Sequence, residues 1–184
     1  MALTDMELWE KSASFHGHIC PGLTIGYKAA LYARELLGLE FSEDEETVCV
    51  AENDACGVDA VSVILGCSVG KGNLLFRMRG KQAFSFFNRK TGKGVRLALK
   101  SFNFGGGSRD ERQKAIFAAP FNELFAVKEV PFNLPEKARL FNSVACEACG
   151  ESTAESYIRL QEGKKLCLDC CKSYDNRANT HVVV

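Results

Sequence analysis

The spacing of apolar residues along the chain predicts a mixed α and β fold. Capping-box patterns at Thr4 and Ser108, and Pro21 in a first helical turn, mark helix starts. Between them lie segments with the β-branched content or the two-residue alternation of strands. We predict helices over residues 5–14, 21–37, 57–66 and 108–119, and strands over 47–51, 74–79, 83–89, 95–100 and 125–130.

These elements predict how the core is built. The helix over 21–37 is apolar around most of its circumference, and its residues Gly22 and Gly26 permit close approach of another backbone. Alternation in the three segments between residues 74 and 100 predicts an antiparallel meander with a basic outer face. The stretch from Pro131 to Pro135 is typical of a linker, since proline interrupts both helix and strand.

The pattern divides the chain into three regions. We expect an α+β core domain over 1–134, with an antiparallel sheet and packed helices, a small cysteine module over 141–175, and a tail over 176–184 that contains His181. Asn53 and Asp54 are placed to cap the helix that follows the first strand.

Charge is distributed unevenly in an otherwise ordinary globular composition of 46% hydrophobic and 25% charged residues. The net charge is zero, but residues 1–70 hold 12 acids and 3 bases, whereas residues 71–114 hold 12 bases and 2 acids. We expect these surfaces to offset each other within the fold or across a homodimer; the alternative is a basic surface for an anion or nucleic acid. The sequence has no export signal and no apolar run of membrane-spanning length, which predicts a cytoplasmic protein without a membrane partner.

The nine cysteines include two C-x2-C pairs separated by 17 residues. Four thiolates from two such pairs can converge on one tetrahedral zinc ion, and the residues between them are long enough for a hairpin near Glu162 and Gly163. A closed four-thiolate site predicts a structural zinc. Its ligands are Cys146, Cys149, Cys167 and Cys170, with a register swap between Cys170 and the adjacent Cys171 left open.

Two histidines and a thiol lie within five residues of each other near the N-terminus: His16, His18 and Cys20. In an extended segment these positions share one side, and Pro21 places Cys20 at a helix N-terminus, where backbone amides stabilise a thiolate. A similar strand-to-helix turn carries Asp54 and Cys56. If the two turns converge, their side chains suit a zinc, nickel or iron ion in the core. The alternative is that these are structural histidines and buried thiols.

The sequence around these residues resembles the family of the E subunit of formylmethanofuran dehydrogenase. The resemblance rests on the FHGHICPG segment from Phe15, the ENDAC segment from Glu52, GC at Gly66 with GKGNL from Gly70, and CEACGE from Cys146. It implies an α+β core followed by a treble-clef zinc finger, a homodimer, and a place in a larger enzyme complex of methanogenesis. The metal and active-site positions that it implies are His16, His18, Cys20, Asp54, Cys56 and Asp59. The family commonly has Gln and Thr where this chain has Ser62 and Ser68; if these side chains touch the ligand, we expect a different substrate or metal here.

The leading hypothesis is a metal-binding accessory subunit or small metalloenzyme, such as an oxidoreductase, in one-carbon or metal-cofactor metabolism. If it is catalytic, His18 and Cys56 act as ligands or as base and nucleophile, and Asp54 orients a histidine. One alternative is a zinc-finger regulator that binds nucleic acid or protein, although residues 141–184, with 5 bases and 6 acids, argue against a nucleic-acid partner. The other alternative is a protein that delivers a soft metal to a partner enzyme.

Overall fold

The computed structural model describes residues 3–101 and 107–173 and confirms the α+β fold class. Its contacts divide the chain into two compact units, with the boundary after Ala138. The first unit contains α1 (Asp5–His16), α2 (Pro21–Leu37), β1 (Thr47–Ala51), α3 (Gly57–Leu65), β2 (Leu74–Phe76), β3 (Ala83–Asn88), β4 (Gly94–Leu99), α4 (Arg109–Ala118), α5 (Phe121–Leu124) and β5 (Phe125–Lys128). The second contains β6 (Ser143–Ala145), β7 (Ser152–Ala154), a 3₁₀ turn (Glu155–Tyr157), β8 (Arg159–Gln161) and β9 (Lys164–Leu166). The predicted tail over 176–184, with His181, lies outside the described residues.

Local signals set the helix ends. Both predicted capping boxes form: the Thr4 hydroxyl accepts from the amide of Glu7, and Ser108 and Glu111 repeat the arrangement at α4. The predicted cap of α3 by Asn53 and Asp54 is wrong. Cys56 is the N-cap residue, and the Asn53 amide oxygen accepts instead from the Ala55 amide at 3.1 Å, so Asn53 shapes the turn before the helix.

The five strands of the main sheet stand in the order β2-β1-β3-β4-β5. Strands β3, β4 and β5 form an antiparallel meander, and β1 pairs antiparallel with β3. The prediction that β2 belongs to the meander is wrong, because β2 pairs parallel with the far edge of β1. Since a parallel neighbour needs a crossover connection, α3 serves as the crossover between them.

Both faces of this sheet are covered. The helices pack on one face over a core that includes Phe84, Phe86 and Leu97. On the other face, Phe132 and Leu134 pack against a cluster of Val48, Val50 and Phe87. The predicted linker at residues 131–135 contains no helix or strand, and its side chains Phe132 and Leu134 also cover the sheet.

Buried ion pairs join the acidic and basic parts of the chain. The Arg96 guanidinium donates to both carboxylate oxygens of Glu52, at 2.6 and 2.9 Å, and Arg89 lies 3.3 Å from Glu45. These pairs link the acidic first 70 residues to the basic middle, as expected if the two charge excesses offset each other within the fold. The Glu52 pKa is lowered, chiefly because Arg96 donates these hydrogen bonds to the ionised carboxylate.

The central helices α2 and α3 touch through glycine, as the sequence predicts. A Cβ atom at Gly26 would lie only 2.0 Å from the carbonyl oxygen of Gly57, so the two backbones are in direct contact there. This contact holds the N-terminal turn of α3 against α2 and so fixes the position of Cys56.

Within the described residues, no helix is long and apolar enough to cross a membrane.

Candidate metal centres

Four predicted side chains of the first unit come together at the N-terminal ends of α2 and α3. The ligand atoms of His16, His18, Cys20 and Cys56 all lie within 4.8 Å of one another. We call this group the His/Cys cluster. His16 ends α1, His18 and Cys20 lie in the turn to α2, and Cys56 caps α3.

The turn that carries the two histidines is not the extended segment that the sequence predicts. Helix α1 continues two residues past its predicted end, to His16, and Gly17 closes it in the left-handed conformation with φ of 84°. Glycine adopts this conformation without a Cβ penalty, and the reversal brings the two imidazoles together with ring centroids 4.4 Å apart. The histidines therefore converge because the helix stops between them.

The two thiols are held by helix N-termini and by the glycine contact between the helices. Cys20 is buried as the N-cap of α2, and its sulfur accepts from the Leu23 amide at 3.4 Å, as expected for a thiol at a helix start. A Cβ at Gly22 would come within 3.7 Å of the Cys56 sulfur. The Cys56 pKa is raised, first by burial and then by the neighbouring Cys20, while the charge of Arg109 acts in the opposite direction.

His16 is oriented by a carboxylate. Its Nδ1 lies 2.7 Å from an oxygen of Asp59, and because an ionised carboxylate only accepts, Nδ1 carries the proton. In the neutral imidazole, the other ring nitrogen, Nε2, then carries the free lone pair. It is buried and has no hydrogen-bond partner among the described residues. A buried imidazole nitrogen of this kind, with a carboxylate behind it, is typical of a metal ligand.

The sequence predicts that Asp54 orients a histidine, but in the structure Asp59 makes this contact with His16. In the described part of the chain, no hydrogen bond or ion pair joins Asp54 to either histidine. Asp59 was named from the family resemblance alone. A signal was present, because residues three apart on a helix share a face and Asp59 follows Cys56 by three positions.

A cavity of about 530 Å³ adjoins the His/Cys cluster. His16, Cys56 and Asp59 line one part of it, and Asp54 lies in its wall. The remaining lining is mostly apolar, with two hydroxyls, from Phe15, Ala55, Val58, Ser62, Ser68, Val69, Leu74 and Phe76. Sequence reasoning missed the aromatic residues of this wall, whose exposure of 65% for Phe15 and 44% for Phe76 is unusual for phenylalanine.

The second unit brings together the four predicted thiols. All four sulfurs lie within 4.8 Å of one another, and those of Cys149 and Cys167 are 3.9 Å apart. Tetrahedral zinc with bonds of about 2.3 Å separates its sulfur ligands by about 3.8 Å, so the spacing fits the ion. Strands β8 and β9 form the predicted hairpin through Glu162 and Gly163, both with positive φ.

The electrostatics of these thiols also suit a cation. Amides of Cys149, Cys167 and Ala148 lower the Cys146 pKa to about 6, while the neighbouring sulfurs raise the pKa of Cys170. Several thiols so close cannot all ionise unless a positive charge stabilises them, as a divalent metal would. Cys171 packs beside the group, but it is Cys170 whose sulfur belongs to the cluster.

Comparisons with known proteins find two family models along the chain. Residues 15–148 match the family model described as "FmdE, Molybdenum formylmethanofuran dehydrogenase operon", and residues 139–176 match the prokaryotic dksA/traR C4-type zinc finger. A probable S-adenosyl-L-methionine-binding protein of Archaeoglobus fulgidus is 31% identical over an alignment that covers 89% of this chain and 52% of the relative, so the chain spans about half of that protein. The crystal structure of an FmdE-like protein from Syntrophus aciditrophicus, named after tungsten formylmethanofuran dehydrogenase, has the same fold, with a TM-score of 0.67 at 24% identity over 92% of each chain.

Proposed function

Since the chain belongs to the FmdE family and carries a C4-type zinc finger, we propose that its core binds a second transition-metal ion at the His/Cys cluster. The observation that carries the proposal is His16, whose Nε2 atom is buried and lacks a partner among the described residues, and which shares the cluster with three further ligating side chains. His16, His18, Cys20 and Cys56 would hold the ion. When bound, zinc, nickel or iron would supply Lewis-acid chemistry by accepting a ligand beyond these four, and nickel or iron would also supply redox chemistry.

The cavity beside the cluster favours a reaction over a purely structural role. A structural zinc site is closed by its protein ligands, whereas three groups of this region, His16, Cys56 and Asp59, also face a space large enough for a small organic molecule. In the proposal, Asp59 fixes the His16 ring and Cys56 lies where it can meet a substrate. The protein would serve as an accessory subunit or small metalloenzyme in one-carbon or metal-cofactor metabolism, as the operon name of the family suggests.

Elemental analysis of the purified protein tests the metal site. The wild-type chain should bind two metals per chain, the Cys56→Ser variant should bind one, and a Cys67→Ala variant should bind two. Cys67 is a matched control because its thiol is buried in the same unit but belongs to neither cluster. One metal per chain in both the wild type and Cys56→Ser would overturn the proposal.

Metal delivery is the second candidate, and the exposure of one ligand favours it. His18 is exposed and Cys56 is only partly buried, so an acceptor protein or chelator can reach this side of the cluster. If the protein delivers metal, a chelator should remove the core metal within minutes while the finger keeps its zinc. Equal retention of both metals would favour the enzyme. The homodimer, the larger enzyme complex and the cytoplasmic location stay predictions, and gel filtration of the metal-loaded protein measures the first.

A further inference from the structure

We propose that the cavity beside the His/Cys cluster selects organic cations that carry a flat ring, and that the carboxylate of Asp54 attracts the positive group of the ligand. This inference rests on the proposed function in one respect, because it takes the metal-bound His/Cys cluster to have no net charge. It names the class of molecule that the cavity accepts. We define the ring-and-carboxylate wall as Phe15, Phe76, Asp54 and Asp59.

The charge of the lining carries the first step. Two carboxylates line the cavity, and none of the described lining residues is Lys or Arg. Arg109 acts on the Cys56 thiol but is not part of the lining. An anionic ligand would therefore meet two like charges without a compensating cation, whereas a positive group would find partners.

The metal does not reverse this charge. A divalent ion bound by two thiolates and two neutral imidazoles has no net charge, because its two positive charges equal the two negative charges of the thiolates. With the ion on Nε2 and the proton on Nδ1, the His16 imidazole would be neutral. The carboxylates of Asp54 and Asp59 then remain as the net charge of the lining.

The aromatic residues carry the second step. Phe15 and Phe76 line the cavity and keep much of their surface exposed, although phenylalanine is usually buried. Exposed aromatic faces stack on flat rings, and they attract cations through the negative face of the ring. The wall thus offers two contacts that a charged aromatic molecule satisfies together.

Asp54 is assigned the selective role because it is free to act on the ligand. Asp59 already accepts from His16, whereas Asp54 is exposed and has no hydrogen-bond partner among the described residues. Asp54 lines the cavity together with the next two residues of the chain, Ala55 and Cys56. Asp54, which was predicted from the sequence to orient a histidine, thus has a role even though Asp59 makes the contact with His16.

The test uses three probes of similar shape on the zinc-loaded full-length protein. Benzyltrimethylammonium is the cation, benzyl alcohol the neutral analogue and benzoate the anion, and amide shifts of residues 54–62 in nuclear magnetic resonance spectra report binding. We expect the cation to bind about five- to tenfold more tightly than the alcohol, and benzoate not to saturate. Asp54→Asn should bring the cation within about twofold of the alcohol. The matched control Asp110→Asn, an exposed carboxylate outside the lining, should leave the preference unchanged.

Three results would overturn the inference: benzoate binding as tightly as the cation, an undiminished cation preference in Asp54→Asn, or no binding of any probe. Metal content is measured on the same samples, which keeps the two proposals apart. A chain with one metal that still prefers the cation would refute the proposed core metal and leave the cavity inference standing. Two metals per chain without a cation preference would support the core metal and refute the cavity inference.

Discussion

The two clusters use cysteine in different ways. The finger holds four thiols in a unit whose described strands are only three residues long, while the His/Cys cluster stands on the long helices and buried core of the first unit. In the finger the apolar cluster consists of Leu166 and the cysteines themselves, so the metal is the centre of the fold. In the first unit the fold exists around the cluster and leaves a cavity next to it. The difference teaches that similar side chains stabilise a fold in one place and, in the proposed function, would be available for chemistry in the other.

Removing a finger ligand should give the largest effect. We expect Cys167→Ser to unfold residues 139–173 completely, because this unit has little apolar core besides its ligands. Hydrogen exchange should show full loss of amide protection in this range and native protection over residues 21–99. The control Cys171→Ser removes the adjacent thiol that is not in the cluster and should keep the finger folded. A finger that stays protected in Cys167→Ser would contradict the view that this unit depends on its ligands, whereas the first unit does not.

The contact between α2 and α3 should be the next most sensitive feature. A methyl group at Gly26 would overlap the Gly57 backbone, so Gly26→Ala should destabilise the first unit by about 3 kcal/mol or more and reduce metal binding at the His/Cys cluster. Denaturant unfolding and elemental analysis measure the two effects. Gly70→Ala is the control, since an added Cβ there meets nothing within 4 Å and φ is ordinary. A Gly26→Ala protein of normal stability would contradict the backbone contact.

The buried ion pair between Glu52 and Arg96 predicts a pH effect. Glu52→Gln should cost about 3 kcal/mol at pH 7, because it leaves the Arg96 charge buried without its partner. Arg96 lowers the pKa of Glu52 in the folded protein, so this stabilisation is present above the ordinary value of 4.5 and is lost as the pH falls through the lower folded value. The difference between wild type and variant should therefore shrink below about pH 4.5. The exposed control Glu10→Gln should show no such trend, and a pH-independent difference for Glu52→Gln would argue against the linkage.

The smallest predicted effect concerns the orientation of His16. Asp59→Asn should weaken metal binding at the His/Cys cluster by about 10- to 100-fold, because a neutral amide is a weaker acceptor for the Nδ1 proton than a carboxylate. Competition with a chelator measures the affinity, and the finger zinc in the same sample is an internal reference. Unchanged core affinity would mean that the carboxylate does not act on the metal ligand.

Local signals explain why much of the fold was predictable. The capping boxes at Thr4 and Ser108 involve residues three positions apart, and α2 begins and ends where Pro21 and Gly38 indicate. Strand β1 matches its predicted bounds because all five of its residues are buried and β-branched or small. Each of these signals lies within one segment.

What could not be predicted depends on contacts between distant segments. The parallel pairing of β2 with β1 and the packing of Phe132 and Leu134 on the sheet need partners far away in the sequence. The same holds for the site. The meeting of the four side chains of the His/Cys cluster was predictable because they lie in two short motifs, but the contact of Asp59 rather than Asp54 with His16 follows from how α3 turns toward α1.

The contact of Gly26 with Gly57 also indicates which residues of the His/Cys cluster can be changed and which must be kept. Because main-chain atoms set the distance between the two helix starts, the spacing of Cys20 and Cys56 does not depend on the size of surrounding side chains. The histidines are different, since they lie at a helix end and in a turn. A designer who wants this scaffold to accept a different metal would therefore keep both glycines and both thiols, and would vary the residues at positions 16 and 18.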